Sequence, residues 1–236
     1  FVASEGNVLV DADYSQIELR LLAHISGDAG MIAAFNSGKD IHRITASEVF
    51  RVPFAGVSAE QRSAAKAVNF GIVYGISDFG LARNLDIPVK RANEYIKLYF
   101  ERYPGVKAYL ERSVEDAKRT GYAVTMFDRR RAMTELKSSN YNTRAFGERV
   151  AMNMPIQGAA ADIIKLAMVK VSHSLKTRSL KAKLILQVHD ELIFDVPKAE
   201  ADEVVTLVHE CMEQVAKLSV PLDADVKVGR SWYETK

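Results

Sequence analysis

The sequence predicts an α+β fold, in which a small antiparallel sheet is built from both ends of the chain around a helical insertion. Three patterns support this prediction. Residues 8–14 begin apolar and β-branched and then turn acidic, as expected for a buried strand. Residues 16–120 follow mostly helical spacing. Residues 183–196 form two apolar arms around a polar His189-Asp190 turn, which is typical of a β-hairpin.

The remaining elements follow from apolar spacing and from prolines that mark helix boundaries. Helices are expected over residues 16–26, 29–36, 41–50, 59–74, 78–84, 89–102 and 105–120. Short strands and turns are expected over 121–139. Two helices, 142–154 and 158–175, are expected on either side of Pro155, and a helix over 199–218 precedes a last strand over 224–228.

Composition narrows the class of protein. The chain has 236 residues, 48% of them hydrophobic, which suits one large globular domain or a compact pair. No apolar run approaches the roughly 18 residues that span a bilayer, and residues 1–6 lack the basic and apolar regions of a secretory signal. The single cysteine excludes an internal disulfide and favours a reducing cytoplasm. Because the chain begins with Phe1 instead of Met, we expect it to be a piece of a longer polypeptide.

Overall charge does not decide whether the protein binds nucleic acid. The formal net charge is only +2, from 32 basic and 30 acidic side chains. Local basic clusters occur at residues 129–131 and 176–183. Each of them, considered alone, is more typical of a solvated surface than of a binding site.

Two aspartates stand at strand ends. Asp13 closes the first strand and Asp190 lies at the tip of the predicted hairpin. Carboxylates at the ends of adjacent strands can converge on hard divalent cations. Two such cations about 4 Å apart can support phosphoryl transfer. Either aspartate alone is more simply explained as an ordinary surface residue.

The helix predicted over 59–74 carries a second pattern. Arg62, Lys66, Phe70 and Tyr74 recur every four residues and therefore form one stripe, basic in its first half and aromatic in its second. Two cations can bind a triphosphate, and an aromatic ring can stack on a sugar or base. The alternative is an amphipathic helix whose aromatic side chains are core and whose cations are merely exposed. The helix alone leaves both open.

Three motifs in order resemble those of the family A DNA polymerases. Residues 13–20, DYSQIELR, resemble motif A, and residues 62–75, RSAAKAVNFGIVYG, resemble motif B. Residues 187–191, QVHDE, resemble motif C. The similarity continues between the motifs across essentially the whole chain and is closest to bacterial members. Three motifs in family order, in fitting helix and strand contexts, are a strong signal.

The resemblance assigns the catalytic and metal-binding roles. It implies two Mg²⁺ ions, bound by Asp13, Asp190 and the backbone carbonyl of Tyr14. Glu191 would act as a supporting acid beside the metals. Lys66 would bind the triphosphate and could also donate a proton to the departing pyrophosphate.

The resemblance also assigns residues to the incoming deoxynucleotide. Arg62 and Lys66 would bind its triphosphate, assisted by His42. Phe70 would pack against the sugar, and phenylalanine here accompanies discrimination against dideoxynucleotides. Glu18 would be the steric gate that excludes a ribose 2′-hydroxyl. Two further residues complete the set: Tyr74, near the templating position, and Gln16.

The resemblance also assigns DNA contacts near the primer–template terminus, to Arg149, Asn153, Gln157 and His189. Correct base pairs offer nearly the same minor-groove acceptors, so such contacts can test pairing without reading sequence. Without the resemblance, Arg149 and Asn153 would be ordinary surface residues. Gln157 would then cap the helix expected from Gly158.

The implied architecture is the right-hand polymerase fold without its thumb. Residues 1–20 would belong to the palm, 21–140 mainly to the fingers including helix 59–75, and 141–236 to the palm. The implied function is template-directed DNA synthesis from deoxynucleoside triphosphates (dNTPs), in DNA replication and repair. Expected partners are primer–template DNA and dNTPs. The expected state is a monomer in the bacterial cytoplasm, associated with the nucleoid and not with a membrane, with weak, salt-sensitive DNA binding by these residues alone.

Two alternative functions differ from DNA synthesis in the residues they would need. A non-catalytic DNA-binding module would not need the carboxylates and the Arg62–Tyr74 stripe. A two-metal nuclease would use the carboxylates, but it has no need of a triphosphate site. Primer extension with magnesium separates these functions.

Overall fold

The computed structural model describes residues 1–236 and has the expected α+β class, with helices and antiparallel strands. Its strands are β1 (Asn7–Tyr14), β2 (Tyr122–Val124), β3 (Arg130–Ala132), β4 (Lys183–Val188), β5 (Glu191–Pro197) and β6 (Ala224–Gly229). Its helices are α1 (Ile17–Ser26), α2 (Ala29–Asn36), α3 (Ile41–Val49), α4 (Ala59–Val73), α5 (Asp78–Leu85), α6 (Val89–Arg102), α7 (Pro104–Thr120), α8 (Tyr141–Thr177) and α9 (Ala201–Glu213). None of these helices combines the length and the apolar character that a membrane crossing requires.

The chain divides into two compact units. The sheet unit comprises Phe1–Ile17 and Ala160–Lys236, and the helical unit comprises Glu18–Ala159. The sheet unit thus combines the two ends of the sequence, as the positions of the predicted strands require. Naming the units palm and fingers remains an interpretation from the family resemblance.

The main sheet has the strand order β4-β5-β1-β6, and every neighbouring pair is antiparallel. Strand β1 is central because both its edges are paired, and its Leu9, Val10 and Ala12 are fully buried. Strand β5 is equally buried, and α9 packs against β1, β5 and β6. This burial on both faces explains the nearly continuous apolar run at the start of β1. Asp13 stands where that run ends.

In the helical unit, the predicted helix starts are confirmed to within one residue, and capping side chains fix several of them. Asp40 caps α3 by accepting from the backbone N–H groups of His42 and Arg43. Ser58 and Gln61 form a reciprocal capping box at the start of α4. Asp28 caps two helices at once, since its two carboxylate oxygens accept from the N–H groups of Met31 and Gly105 at 2.9 and 2.8 Å.

The prediction of two helices around Pro155 is wrong. A single helix, α8, runs from Tyr141 to Thr177 and contains the proline. Tertiary packing compensates for the lost backbone hydrogen bond. Pro155 is buried, and Ala151, Ile156 and Ala159 around it are fully buried. Gln157 therefore lies inside a helix and does not cap one.

The prediction of a helix reaching residue 218 is also wrong, because α9 ends at Glu213. The ammonium of Lys170 binds the carbonyl oxygen of Gln214, the residue that terminates the helix. The chain then needs residues 214–223 to return to β6, which pairs with β1. Pairing of β6 with β1 therefore ends the helix earlier than the local apolar spacing alone would.

Candidate functional site

In the sheet unit, the two predicted metal-binding aspartates are brought to one end of the sheet. Asp13 pairs in register with Glu191 on β5 and with Asp225 on β6. Asp190 occupies the two-residue turn between β4 and β5, and its carbonyl oxygen accepts from the Tyr14 N–H at 3.3 Å. Acids separated by 177 positions in sequence thus meet because β5 pairs with β1.

The electrostatics of this end of the sheet fit a cation site. Partial burial and repulsion from Asp190 and Glu191 raise the pKa of Asp13 to about 6. Its carboxylate nonetheless remains open to solvent. No group of three or more His, Cys, Asp or Glu side chains is arranged around a common metal position. The crowded carboxylates have the chemistry that suits divalent cations, which prefer oxygen ligands.

Glu191 is held differently from its neighbours. Trp232 donates its indole N–H to one carboxylate oxygen at 2.6 Å, and the ammonium of Lys236 binds the other at 2.6 Å. Burial would raise the pKa of Glu191, but the hydrogen bonds from Lys236 and Trp232 outweigh it and lower the pKa. Both oxygens are therefore occupied, which fits a supporting role better than direct metal binding.

Two more side chains of the sheet unit belong to this region. The hydroxyl of Tyr14 donates to the carbonyl oxygen of Met212 at 2.7 Å, which anchors the end of β1 in the core. The buried Asp11 accepts from the hydroxyl of Thr235 at 2.7 Å. Burial, together with the neighbouring Glu191, raises the pKa of Asp11 to about 6. His189, predicted near the primer end, is exposed in the β4–β5 turn with a left-handed φ of 54°.

In the helical unit, the predicted stripe on α4 faces solvent. Arg62 and Lys66 are exposed, Phe70 is half-buried and Tyr74 is 43% exposed. The opposite face of α4 supplies the core, through residues that include Ala65, Val68, Ile72 and Val73. The alternative in which both aromatic side chains serve the core is therefore wrong. The stripe is available as a surface.

Arg62 already has a carboxylate partner. Its Nε donates to Asp40 at 2.6 Å, in a half-exposed ion pair. Burial alone would raise the pKa of Asp40, but hydrogen bonds from Arg62 and the Arg43 backbone lower it. An anionic ligand of Arg62 would thus compete with, or share the guanidinium with, Asp40.

His42 lies beneath the stripe and not on it. The residue is 2% exposed, and its Nδ1 is 2.9 Å from the side-chain nitrogen of Asn69. Asn69 in turn accepts from the hydroxyl of Thr45 at 3.1 Å. The imidazole lies 5.7 Å from the Phe70 ring, between centroids. Burial, with a smaller effect of Arg62 and Lys66, lowers the pKa of His42 to about 4, so the ring is neutral at pH 7.

Glu18 and Tyr74 are brought together within the helical unit. The Tyr74 hydroxyl donates to the Glu18 carboxylate at 2.8 Å, although the residues are 56 positions apart. Gln16 precedes α1 in a left-handed conformation with φ 55°. Arg149, Asn153 and Gln157 lie at four-residue intervals on α8, and the first and last of them are exposed. They therefore share one stripe along the helix.

Comparison with known proteins identifies the family. The family model described as DNA polymerase family A matches residues 1–234. This chain belongs to DNA polymerase family A.

Relatives within family A are similar over the whole chain. DNA polymerase I of Caldicellulosiruptor bescii is 57% identical and that of Bacillus subtilis 55%, in each case over 100% of this chain. The polymerase domain of Pol1 from M. smegmatis, in complex with DNA primer-template and dNTP, superposes with a TM-score of 0.96 at 47% identity. That match covers 100% of this chain and 42% of the other. The chain spans only 28% and 27% of the length of the two curated relatives.

Several residues that contact the predicted site residues have no role that the motifs indicate. Asp40 and Asn69 contact predicted nucleotide-site residues, and Trp232 and Lys236 contact Glu191. Only Asp40 had a local signal, since aspartate before an apolar helical pattern is a capping residue. The other three contact their partners through the fold alone.

Proposed function

We propose that this chain carries the nucleotidyl-transfer site of a DNA-directed DNA polymerase. The reaction is attack by a primer 3′-hydroxyl on the α-phosphate of a deoxynucleoside triphosphate, directed by a template strand. The observation that carries the proposal is the solvent-facing stripe on α4, which offers two cations followed by two aromatic rings. Family membership supports the same reaction.

Asp13 and Asp190, with the Tyr14 carbonyl, would hold two Mg²⁺ ions. When bound, such ions supply charge neutralisation at the attacking and leaving oxygens. The part of the protein itself is to hold negatively charged groups close together before the substrate arrives. Partial burial, and next to it the repulsion from Asp190 and Glu191, raises the pKa of Asp13. Glu191 would keep the strand ends in place, because both its oxygens are already bonded.

Arg62 and Lys66 would bind the triphosphate, with Arg62 exchanging part of its bond to Asp40 for phosphate oxygens. Lys66, one turn further along, could also donate a proton to the departing pyrophosphate. His42 would contribute as a neutral hydrogen-bond partner, because burial keeps its pKa at about 4. Contact with a nucleotide would require the nearly buried imidazole to become accessible.

Phe70 would pack on the deoxyribose and Tyr74 would lie near the templating position, with Gln16 an additional nucleotide contact. The hydrogen bond from Tyr74 to Glu18 supports the role of Glu18 as a steric gate. A gate excludes a ribose only if its side chain is held still. Arg149, Asn153, Gln157 and His189 would contact the primer–template near its terminus.

Primer extension tests the proposal. The full-length protein and the 236-residue chain would each be assayed with a labelled primer–template, dNTPs and magnesium. Asp13→Asn and Asp190→Asn should each abolish extension while the variants remain folded. Asp195→Asn is the matched control, since Asp195 lies on β5 and bonds Ser4 instead of the proposed site. If the wild type extends the primer and both the Asp13→Asn and the Asp190→Asn variants still do so, the site assignment is refuted.

The nuclease alternative has a distinct outcome in the same assay. A nuclease would shorten the primer without dNTPs, and Arg62→Ala or Lys66→Ala would leave that shortening unchanged. A polymerase lengthens the primer only with dNTPs, and the same substitutions should raise the KM for dNTPs. A non-catalytic binding module would do neither.

A further inference from the structure

The segment Trp232–Lys236 binds a carboxylate of the sheet unit, and both oxygens of that carboxylate are engaged. Glu191 receives the indole N–H of Trp232 on one oxygen and the ammonium of Lys236 on the other, each at 2.6 Å. Its side chain is only 6% exposed. Short bonds to a buried carboxylate, one of them from a cation, fix its orientation more firmly than neutral surface contacts do.

Glu191 is placed where its orientation affects both proposed metal-binding aspartates. It follows Asp190 directly in sequence, at the point where the turn enters β5. It also pairs in register with Asp13 on β1, and directly paired residues present their side chains on the same face of a sheet. Movement of Glu191 would therefore disturb the turn that carries Asp190 and the surroundings of the Asp13 side chain.

The segment is itself anchored and can hold another group in place. The Trp232 backbone N–H donates to the Phe1 carbonyl oxygen at 3.1 Å, and the two rings meet edge to face at 5.8 Å. The Lys236 ammonium also lies 5.1 Å from the centre of the Trp232 ring, within cation–π range. Thr235 extends the same support to the buried Asp11. Each donor to the carboxylate is thus restrained from a second side.

We propose that Trp232 and Lys236 are positioning residues, which act through Glu191 to keep Asp13 and Asp190 in the arrangement that binds divalent cations. The inference rests on the proposed polymerase function for its kinetic consequence, but its cation-binding consequence is independent of catalysis. Side chains that orient the surroundings of a metal site typically affect metal affinity or activity about 10- to 100-fold.

The test uses Trp232→Phe, which keeps an aromatic ring and removes the N–H donor, and Lys236→Met, which keeps the stem and removes the charge. Lys198→Met is the matched control, because Lys198 is exposed and follows β5 at the end of that strand away from Glu191. The first measurement is binding of Mn²⁺ to the full-length protein without DNA, followed by the electron paramagnetic resonance signal of free Mn²⁺. Both test variants should weaken binding about tenfold, and the control should not.

The second measurement is steady-state primer extension by the full-length variants. The kcat should fall about tenfold while the KM for dNTPs stays within about twofold, because neither residue belongs to the proposed triphosphate site. In a Glu191→Ala background, Trp232→Phe should cause no further loss, since the residue would have nothing left to position. Melting temperatures recorded in parallel identify losses that come from unfolding.

Two results would overturn the inference. One is unchanged Mn²⁺ affinity in both variants, with any loss of kcat following the melting temperature. The other is an equal loss from Trp232→Phe with and without Glu191. Failure of the wild type to extend a primer would instead refute the proposed function and leave the Mn²⁺ measurement interpretable.

Discussion

Tyr74 and Glu18 form a hydrogen bond between two side chains of the proposed nucleotide site. The bond is 2.8 Å long and joins a phenol that is 43% exposed to a carboxylate in the first turn of α1. A hydrogen bond to a charged group contributes about 1.5 to 3 kcal/mol. The bond therefore restricts the position of Glu18, and a steric gate depends on that restriction.

Tyr74→Phe should relax discrimination against ribonucleotides without removing the gate itself. Loss of the hydroxyl removes one restraint on Glu18, and selectivity should fall by about fivefold, corresponding to about 1 kcal/mol. Glu18→Ala should cause a larger loss, because the gate is then absent. The measurement is the ratio of kcat/KM for a dNTP to that for the matching ribonucleotide. Equal selectivity in Tyr74→Phe and wild type would show that the bond does not restrain the gate.

His42 links the proposed nucleotide site to the stability of the helical unit. The folded protein keeps this imidazole neutral, because burial lowers its pKa from 6.5 to about 4. The unfolded chain binds a proton at the ordinary pKa. Between pH 6.5 and 4 the unfolded state therefore carries more protons than the folded state, and acid favours unfolding. The stabilising contribution is complete above pH 6.5 and is lost as the pH falls toward 4.

We expect His42→Gln to reduce the pH dependence of stability in that window. The free energy of unfolding, measured in urea from pH 7 to pH 4, should fall less steeply in the variant, by up to about 1.4 kcal/mol per pH unit. Comparison of variant with wild type cancels the opposite effect of Asp11 and Asp13, whose raised pKa values favour folding as pH falls. His173→Gln, at an exposed position on α8, is the control. Parallel curves for wild type and His42→Gln would contradict the expectation.

At the scale of elements, the sequence predicts what local chemistry determines. Helix starts such as those of α3 and α4 follow from capping residues within three positions of the helix. The continuity of α8 through Pro155 and the early end of α9 depend on packing against distant residues. Apolar spacing near those points fits either outcome. The fold class was predictable, whereas these two boundaries were not.

One close contact fixes where α8 packs in the helical unit. A Cβ atom on Gly158 would lie 2.6 Å from the methyl carbon of Thr125, far inside van der Waals distance. Thr125 cannot easily rotate away, because its hydroxyl accepts from the N–H groups of Phe127 and Arg129 and the residue is buried. The glycine therefore allows α8 to pack closely against the turn after β2.

Gly158→Ala should destabilise the protein by about 1 to 2 kcal/mol, because the overpacking cost exceeds the gain in helix propensity. Adding Thr125→Ser removes the clashing methyl and keeps the hydroxyl, so the double variant should recover most of the loss. Thr125→Ser alone is the control for the methyl itself. Urea unfolding of the four proteins gives the coupling free energy between the two positions. If the stability changes of the two single variants simply add in the double variant, a direct contact between the two positions is contradicted.

At the scale of the whole molecule, the candidate site was predictable in its motifs but not in its supports. The family resemblance assigned roles to Arg62, His42 and Glu191. Their partners Asp40, Asn69 and the Trp232–Lys236 pair lie 22, 27, 41 and 45 positions away along the chain. Contacts over such separations leave no periodic pattern of residues in the sequence. The supports become visible only when the tertiary structure brings these segments together.

The net charge of +2 limits how strongly the proposed DNA site can attract DNA over long range. With basic and acidic side chains nearly balanced, non-specific attraction is small and affinity must come from a few local contacts. Even two phosphate contacts would reduce affinity about tenfold between 50 and 200 mM salt. We therefore expect weak, salt-sensitive binding of primer–template by the 236-residue chain, with shorter extension products than the full-length protein makes.

Fluorescence anisotropy with a labelled primer–template, repeated over that salt range, measures the effect. Duplexes of unrelated sequence should bind within about threefold of one another, because minor-groove acceptors hardly distinguish correct base pairs. Arg149→Ala should weaken binding, whereas Arg112→Ala, on the exposed side of α7, serves as the control for loss of one positive charge. A 236-residue chain that matched the full-length protein in affinity at 200 mM salt and in product length would contradict the prediction, since its own contacts would then suffice for processive synthesis.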